Sequence, residues 1–165
     1  MRLKPLKQWI CDKCGEVIEG VEQGWLEWLV SKDRPLRNFG FRIVHQGEYS
    51  PRKPQGTCYF YDHWHGPELY ASSNLDDFAG DNAIPALLWF IDRGPLLDKD
   101  KAGPMLRDER EWAELVRRLT IPYYEEARFY LRDAYNDGEL EGLDANVLYH
   151  PNTLKWIVKR HRGHS

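Results

Sequence analysis

The sequence feature that most constrains the fold is a pair of cysteines near the start of the chain, Cys11 and Cys14, followed directly by Gly15. A spacing of two residues lets two thiolates point at one metal ion while the backbone between them makes a tight turn. Gly15 supplies a turn position that a side chain would crowd. The pattern therefore predicts a metal-binding knuckle, with Ile10 as the last residue of an entering strand.

The segment Trp9-Ile10-Cys11-Asp12-Lys13-Cys14-Gly15 resembles the first knuckle of a zinc-ribbon or rubredoxin-type site. The resemblance is confined to residues 9–15, so it implies a bound metal and no particular activity. Zn²⁺ is the metal most often held by cysteines in a closed tetrahedral site, and we expect it here.

The other ligands of this structural Zn²⁺ must come from outside the knuckle. Cys58 is the third cysteine of the chain, and we expect it to be the third ligand. His45 is the first choice for the fourth, because it ends an apolar strand face where coordination would satisfy a buried imidazole. His63, separated from Cys58 by four residues, is the alternative, and His65 or a water molecule is also open. A closed set would hold three strand ends together.

Composition limits which cellular compartment and which classes of partner we expect for this protein. The 165 residues carry a formal net charge of −3, so we do not expect a generally basic surface that binds nucleic acid. No apolar signal segment follows the basic start of the chain, and the longest near-apolar run, residues 83–91, is too short to span a bilayer. We therefore expect a soluble cytoplasmic protein that contacts no membrane, in which three cysteines are metal ligands rather than a disulfide framework.

The order of strand and helix signals predicts an α+β protein. Residues 1–66 form a zinc-binding, β-rich half with a small antiparallel sheet, and residues 67–165 form a helical half packed against it as one compact unit. The predicted strands cover residues 24–30, 39–45 and 57–61. The predicted helices run over residues 81–92, from Asp108 onward, over residues 123–136, and after Pro151.

Alternation along the second predicted strand places four residues on one face. They are Phe39, Phe41, Ile43 and His45. This face is apolar except at its end, which predicts that His45 points toward the core.

Two charged pairs in the helical half have simple local interpretations. Glu125 and Glu126 favour the N-terminus of a helix, where the backbone dipole stabilises negative charge. Arg117 and Arg118 are interpreted as a solvated face or as the complement of a helix C-terminus.

The leading hypothesis for function is a non-enzymatic module that binds another protein, with zinc shaping the surface. The sequence has no Gly-rich phosphate loop, Gly-x-Ser-x-Gly elbow or His-Glu-x-x-His motif. An inhibitor or accessory protein of a bacterial or phage system would fit. The aromatic residues expected to contact the partner are Trp25, Trp28, Trp64, Tyr123 and Tyr124.

Two alternatives involve nucleic acid. The first is a nucleic-acid-binding zinc protein that uses Arg34, Arg37 and Arg42 together with the basic residues 155–162. The second is a metal-dependent nuclease, because Asp62-His63-Trp64-His65 faintly resembles the Asp-His pair of HNH nucleases. That resemblance implies roles for Asp62, His63 and His65, but the sequence lacks the second Cys-x-x-Cys pair and the later helical histidine of that family.

Overall fold

The structure, a computed structural model, describes residues 2–33, 35–92 and 106–162. Antiparallel sheets lie in the N-terminal half and helices in the C-terminal half, so the predicted α+β class is confirmed. The division of the chain at residue 66 stays a prediction. In the part of the chain described here, no helix combines the length and the apolar character needed to span a membrane.

Within the described residues the strands form two antiparallel sheets, one of two strands and one of three in the order β4-β3-β5. In chain order the strands are β1 Trp9–Ile10, β2 Val17–Ile18, β3 Gly24–Val30, β4 Asn38–His45 and β5 Leu69–Asn74. Short 3₁₀ helices lie at Val21–Gln23, Gly47–Tyr49, Leu75–Phe78 and Gly80–Asn82. The predicted hairpin of β3 and β4 is confirmed, and β3 lies at the centre of the larger sheet.

A bulge in β4 alters the predicted face of that strand. The register between β3 and β4 shifts between Glu27 and Leu29, and Gly40 has a φ of +68° at this point. Beyond the bulge, Phe41, Ile43 and His45 are buried, as alternation predicts. Phe39 precedes the bulge, is only partly buried and lies under the guanidinium of Arg107, so its predicted membership of the core face is wrong.

The third predicted strand is also wrong. Residues 57–61 form a loop and turn, and the third strand of the sheet is β5. Side-chain hydrogen bonds, rather than backbone pairing with another strand, hold this loop in place. Glu27 accepts a hydrogen bond from the Phe60 N–H at 2.6 Å. The Tyr61 hydroxyl donates to the Gly40 carbonyl at 2.6 Å.

Six α-helices follow the larger sheet in the described residues. They are α1 Ala83–Leu88, α2 Glu109–Thr120, α3 Tyr124–Ala127, α4 Leu131–Asn136, α5 Ala145–Leu148 and α6 Pro151–His161. The start of α2 is confirmed, because the Asp108 side chain accepts from the Arg110 N–H at 2.8 Å. The start of α6 at Pro151 is confirmed as well.

Two predicted helices are shorter than expected. The first ends at Leu88 and not near residue 92. The second, predicted over residues 123–136, is split into α3 and α4. Tyr123 has a left-handed φ of 69°, and the Tyr130 N–H bonds the Ala127 carbonyl in a tighter turn. The left-handed Tyr123 therefore precedes α3, the turn at Tyr130 separates α3 from α4, and Glu125 and Glu126 of α3 are buried.

The core has two parts. The larger part joins the sheet to α1 and α2, and Trp28 there packs its ring edge-on against Phe78 and Phe90 at centroid distances of 6.2 and 5.3 Å. The smaller part joins α3 to α6 and contains Tyr124, with Leu154 and Val158 from α6. The helical half therefore packs against the sheet through its first two helices.

Candidate metal centre

The structure brings together Cys11, Cys14, His45 and Cys58. One ligand atom from each of these residues lies within 4.8 Å of every other, so the group could hold a metal ion. Three thiols and one imidazole form a donor set that suits a metal preferring sulfur and nitrogen ligands.

The knuckle is a closed backbone turn. The Cys11 N–H donates to the Glu16 carbonyl, and the Gly15 N–H donates to the Cys11 carbonyl, each at 2.9 Å. Gly15 has a φ of +77°, a conformation that residues other than glycine rarely adopt. The turn brings the Cys11 and Cys14 thiols into one cluster.

The imidazole of His45 is oriented by a hydrogen bond on its far side. Its Nε2 lies 3.1 Å from the Val17 carbonyl, which can only accept, so Nε2 carries a proton. Nδ1 faces the thiols and lies 3.5 Å from the Cys14 sulfur. A backbone carbonyl that fixes the tautomer of a ligating histidine is a common feature of metal sites.

Cys58 reaches the cluster from the loop that replaces the predicted strand. Its thiol is fully buried, and its sulfur lies 3.2 Å from the Ser50 hydroxyl. The Gly47 N–H donates to the Tyr59 hydroxyl at 3.0 Å, which ties the loop to the short helix before it. The loop therefore holds the third thiol in place by contacts on both sides of it.

Electrostatics divide the thiols into one acidic group and two weakly acidic groups. Burial acts to raise the pKa of Cys11, but hydrogen bonds with His45 and with the backbone of Cys14 and Lys13 lower this pKa to about 6. Burial, and further the neighbouring Cys11 thiolate, raise the pKa of Cys14 to about 12. Burial raises the pKa of Cys58 as well. A bound cation would favour deprotonation of all three thiols.

Asp12, one of the two residues between the knuckle cysteines, docks the knuckle on β4. The Asp12 N–H donates to the Ile43 carbonyl at 2.8 Å, and the Ile43 N–H donates to Asp12 Oδ2 at 2.7 Å. Since Ile43 precedes His45 by two residues, this pairing sets the cysteines beside the imidazole.

A buried arginine connects the knuckle to the helices. Arg118 of α2 donates to both oxygens of Asp12 at 3.0 and 2.8 Å and to both oxygens of Glu125 at 2.7 and 3.0 Å. It also donates to the Ile10 carbonyl at 3.1 Å, while the Ile10 N–H donates to Glu125 at 2.9 Å. Arg118 therefore joins the strand before Cys11, the knuckle and α3.

The predicted helix-end positions of the charged pairs are confirmed, since Arg117 and Arg118 lie in the last turn of α2 and Glu125 and Glu126 in the first turn of α3. The network corrects their expected exposure, because Arg118 and Glu125 are buried against each other and do not form a solvated face. Glu126 is buried too, and it accepts from the Leu3 N–H at 3.2 Å and from Arg162 at 2.6 Å. Arg117 remains on the surface side and pairs with Glu114 at 3.7 Å.

The two turn histidines lie outside the cluster. His63 and His65 are exposed, and His63 Nε2 lies 3.9 Å from Asp62 Oδ2. A second group with metal-binding spacing exists at Asp137, Glu139 and His161. There, the carboxylate of Glu139 already accepts from Arg160 and contacts the His161 imidazole.

The five aromatic residues expected to contact a partner do not form one surface. Tyr124 is 4 % exposed in the smaller core, and Trp28 packs in the larger one. Trp25 packs against Tyr59 and Tyr123 against the smaller core, both partly buried. Trp64 alone of the five is well exposed, at 41 %.

The predicted basic surface is also dispersed. Arg34 lies outside the described residues. Arg42 lies over the ring of Phe60, 5.0 Å from its centroid, and Arg37 lies at the β3–β4 connection. In the C-terminal helix, Arg160 pairs with Glu139 and Arg162 with Glu126, so part of the basic tail is neutralised internally.

Sequence reasoning missed three residues that build the centre: Asp12, Ser50 and Arg118. Asp12 lies inside the knuckle, and its position between two ligands is the one local signal that could have identified it. The partners of Ser50 and Arg118 are set by the tertiary fold, and no local pattern marks them.

Comparison with known proteins adds no assignment to this geometry. No protein-family model, curated protein or solved structure matches the chain.

Proposed function

We propose that the chain is a zinc protein in which one structural Zn²⁺ is bound by Cys11, Cys14, His45 and Cys58. The observation that carries the proposal is the convergence of these four ligand atoms within 4.8 Å. Three thiolates and one imidazole would complete a tetrahedron, and a closed tetrahedron leaves no position for a reacting water molecule. The role is therefore structural.

The proposed ion would join segments that the small sheet cannot hold alone. The knuckle, the end of β4 and the Cys58 loop are far apart in the sequence, and the Cys58 loop has no strand ladder of its own. Binding energy at such a site is folding energy, because the unfolded chain does not preform the site.

We further propose that the protein binds another protein through an aromatic surface beside the centre. Phe60, Trp64 and Tyr70 are 38 %, 41 % and 45 % exposed and surround Tyr61, with ring centroids 5.3 to 6.3 Å from it. Exposed aromatic residues of this kind are enriched at protein interfaces. Phe60 follows Cys58 by two residues, so the ion would also order this surface.

The nucleic-acid alternatives have weaker support. Arg160 and Arg162 already pair with carboxylates, which reduces the charge they offer to phosphates. His63 and His65 lie on an exposed turn outside the cluster. Both observations favour the protein-binding module.

The metal assignment is tested by elemental analysis and native mass spectrometry of protein purified without added metal. We expect one zinc per chain. His45→Ala should release zinc to a chelator faster than wild type, whereas His63→Ala should match wild type. A folded protein without metal, or faster release from His63→Ala than from His45→Ala, would contradict the proposal.

The interaction is tested by comparing proteins captured from the native host. Trp64→Ala should lose a partner that wild type captures. Tyr135→Ala is the matched control, since Tyr135 is an exposed aromatic residue on α4, away from the aromatic surface. Identical capture by all three proteins would contradict a role for the aromatic surface. Loss of capture by Tyr135→Ala alone would show that the interface includes Tyr135 and not the aromatic surface.

A further inference from the structure

A cavity of about 390 Å³ lies between the knuckle, β4 and α2. Its size falls within the range of small-molecule sites. Phe41, Phe60 and Leu115 provide apolar walls, and the polar walls contain three arginines and three carboxylates. Which of these charges already have partners decides what the cavity can bind.

The carboxylates of the cavity have partners in the protein. Asp12 accepts from Arg118 and from the Ile43 N–H. Glu111 accepts from the Gly40 N–H at 2.6 Å. Both oxygens of Asp12 are therefore used in internal contacts, and Glu111 uses its Oε2.

Glu114, the third carboxylate, accepts from the Tyr124 hydroxyl and pairs with Arg117. Arg118 is saturated as well, because its donors reach Asp12, Glu125 and the Ile10 carbonyl. The donors of Arg118 are thus fully used without a ligand, and both contacts of Glu114 are made by its Oε2.

Two of the cations retain unused donors. Arg42 donates to its neighbouring Phe41 carbonyl at 2.8 Å, and it forms no ion pair among the described residues. Arg128 shares one terminal nitrogen between Glu125 at 3.3 Å and Asp12 at 3.7 Å. The Nε atom of Arg128 is buried without a hydrogen-bond partner. The other terminal nitrogen, Nη1, has no ion pair among the described residues, so this atom and Arg42 are the donors available to a ligand in the cavity.

We infer that this cavity binds a small organic anion, with a carboxylate or phosphate group on Arg42 and Arg128 and an apolar part against Phe41, Phe60 and Leu115. Arginine forks recognise both anionic groups with paired hydrogen bonds. Lys13, whose Nζ lies 5.2 Å from the centroid of the Phe60 ring, adds positive charge near the same wall. The inference goes beyond the proposed function, although the ligand site shares Phe60 with the aromatic surface.

The test is an NMR titration of the zinc-loaded protein that follows the Nε–H signals of its arginines. The probes are phenyl phosphate and benzoate. Inorganic phosphate is the control that carries the anionic group alone, and benzyl alcohol is the control that carries the apolar ring alone. We expect saturable shifts of the Arg128 signal with phenyl phosphate or benzoate, at a Kd of about 1 mM or lower. Whichever of these two probes binds more tightly identifies the anionic group.

Variants separate this site from general charge attraction. Arg42→Gln and Arg128→Gln should each weaken binding by about tenfold or more. Arg128→Lys should recover part of the affinity, and Arg132→Gln, which removes an exposed arginine of α4, should leave it unchanged. Thermal melting and zinc content establish that each variant is folded.

Four results would overturn the inference. The first is the absence of saturable shifts with both organic anions. The second is unchanged affinity in the Arg42→Gln variant. Arg42 is not part of the network around Arg118, so we expect this variant to fold. The third is equally tight binding of benzyl alcohol, which would remove the role of the charge. The fourth is equally tight binding of inorganic phosphate, which would remove the role of the apolar walls.

Discussion

Arg118 donates hydrogen bonds at 2.8 and 3.0 Å to the two carboxylate oxygens of Asp12, the residue next to the first knuckle cysteine. These two residues are 106 positions apart in the chain. The contact makes the position of the knuckle depend on α2, and it places a buried charge pair beside the candidate metal centre.

Replacing Arg118 with Met should lower the free energy of unfolding by about 3–5 kcal/mol, because the buried Glu125 and the partly buried Asp12 would keep only the longer contacts with Arg128. Arg117→Met is the control, since Arg117 is partly exposed and its pair with Glu114 is a surface pair. That change should cost less than about 1 kcal/mol. Urea denaturation of both variants measures the difference, and equal losses would contradict a special role for Arg118.

Ser50→Ala should increase the rate of zinc loss to a chelator by about tenfold, because outer-shell hydrogen bonds stabilise metal-ligating groups. The Ser50 hydroxyl lies 3.2 Å from the Cys58 sulfur. Ser73→Ala is the control, since the Ser73 hydroxyl donates to Asp77 instead. Equal chelation rates in wild type and Ser50→Ala would show that this hydroxyl does not influence the ion.

Glu27→Gln should change the pH dependence of stability. Burial raises the pKa of the Glu27 carboxyl, although the Phe60 N–H and the Tyr70 hydroxyl donate to it and act in the opposite direction. A raised pKa in the folded state means that the neutral carboxyl stabilises the fold at low pH. This contribution is fully present below the unfolded pKa and is lost as pH rises through the folded pKa.

The measurement is the difference in unfolding free energy between wild type and Glu27→Gln from pH 4 to pH 8, roughly the interval in which buried carboxyls titrate. The wild type should lose stability relative to the variant as pH rises. A constant difference, or one that changes in the opposite direction, would mean that Glu27 is not neutral in the folded protein at low pH.

Gly40→Ala should lower the free energy of unfolding by about 2–3 kcal/mol, because it combines backbone strain with a steric clash. A Cβ at Gly40 would lie 2.5 Å from the Tyr61 hydroxyl oxygen, and this glycine has a φ of +68°. Gly138, with a φ of +75° and no atom within 4 Å of such a Cβ, is the control. Gly138→Ala should cost about 1–2 kcal/mol from strain alone. Thermal melting measures the two losses. Equal decreases in melting temperature for Gly40→Ala and Gly138→Ala would mean that the clash does not destabilise the protein.

Sequence patterns predicted those parts of the fold that depend on neighbouring residues. The knuckle follows from two cysteines and a glycine within five positions, and Asp108 and Pro151 mark helix starts through local capping chemistry. His45 was placed on the core side because strand alternation extends from Phe41, and its burial at 3 % exposure confirms this.

The remaining features depend on contacts between distant residues. β5 has the sequence Leu69-Tyr70-Ala71-Ser72-Ser73-Asn74, which lacks apolar alternation, and it is a strand because it pairs with β3. The Thr57-Cys58-Tyr59-Phe60-Tyr61 run has strong strand formers, yet the Glu27 carboxylate binds its backbone and its cysteine enters the cluster. Propensity is a weak guide when tertiary contacts compete with it.

The ion pairs of Asp12, Arg118 and Glu125 also restrict how this sequence can diverge. Loss of Arg118 alone leaves two carboxylates with only the longer contacts of Arg128, whereas an apolar replacement of the whole set can preserve stability. Viable descendants should therefore retain Arg118 wherever both carboxylates remain, and lose it only together with them. An alignment of sufficiently diverged relatives should show correlated substitution between the knuckle and the two helices, even where the surrounding surface has drifted freely.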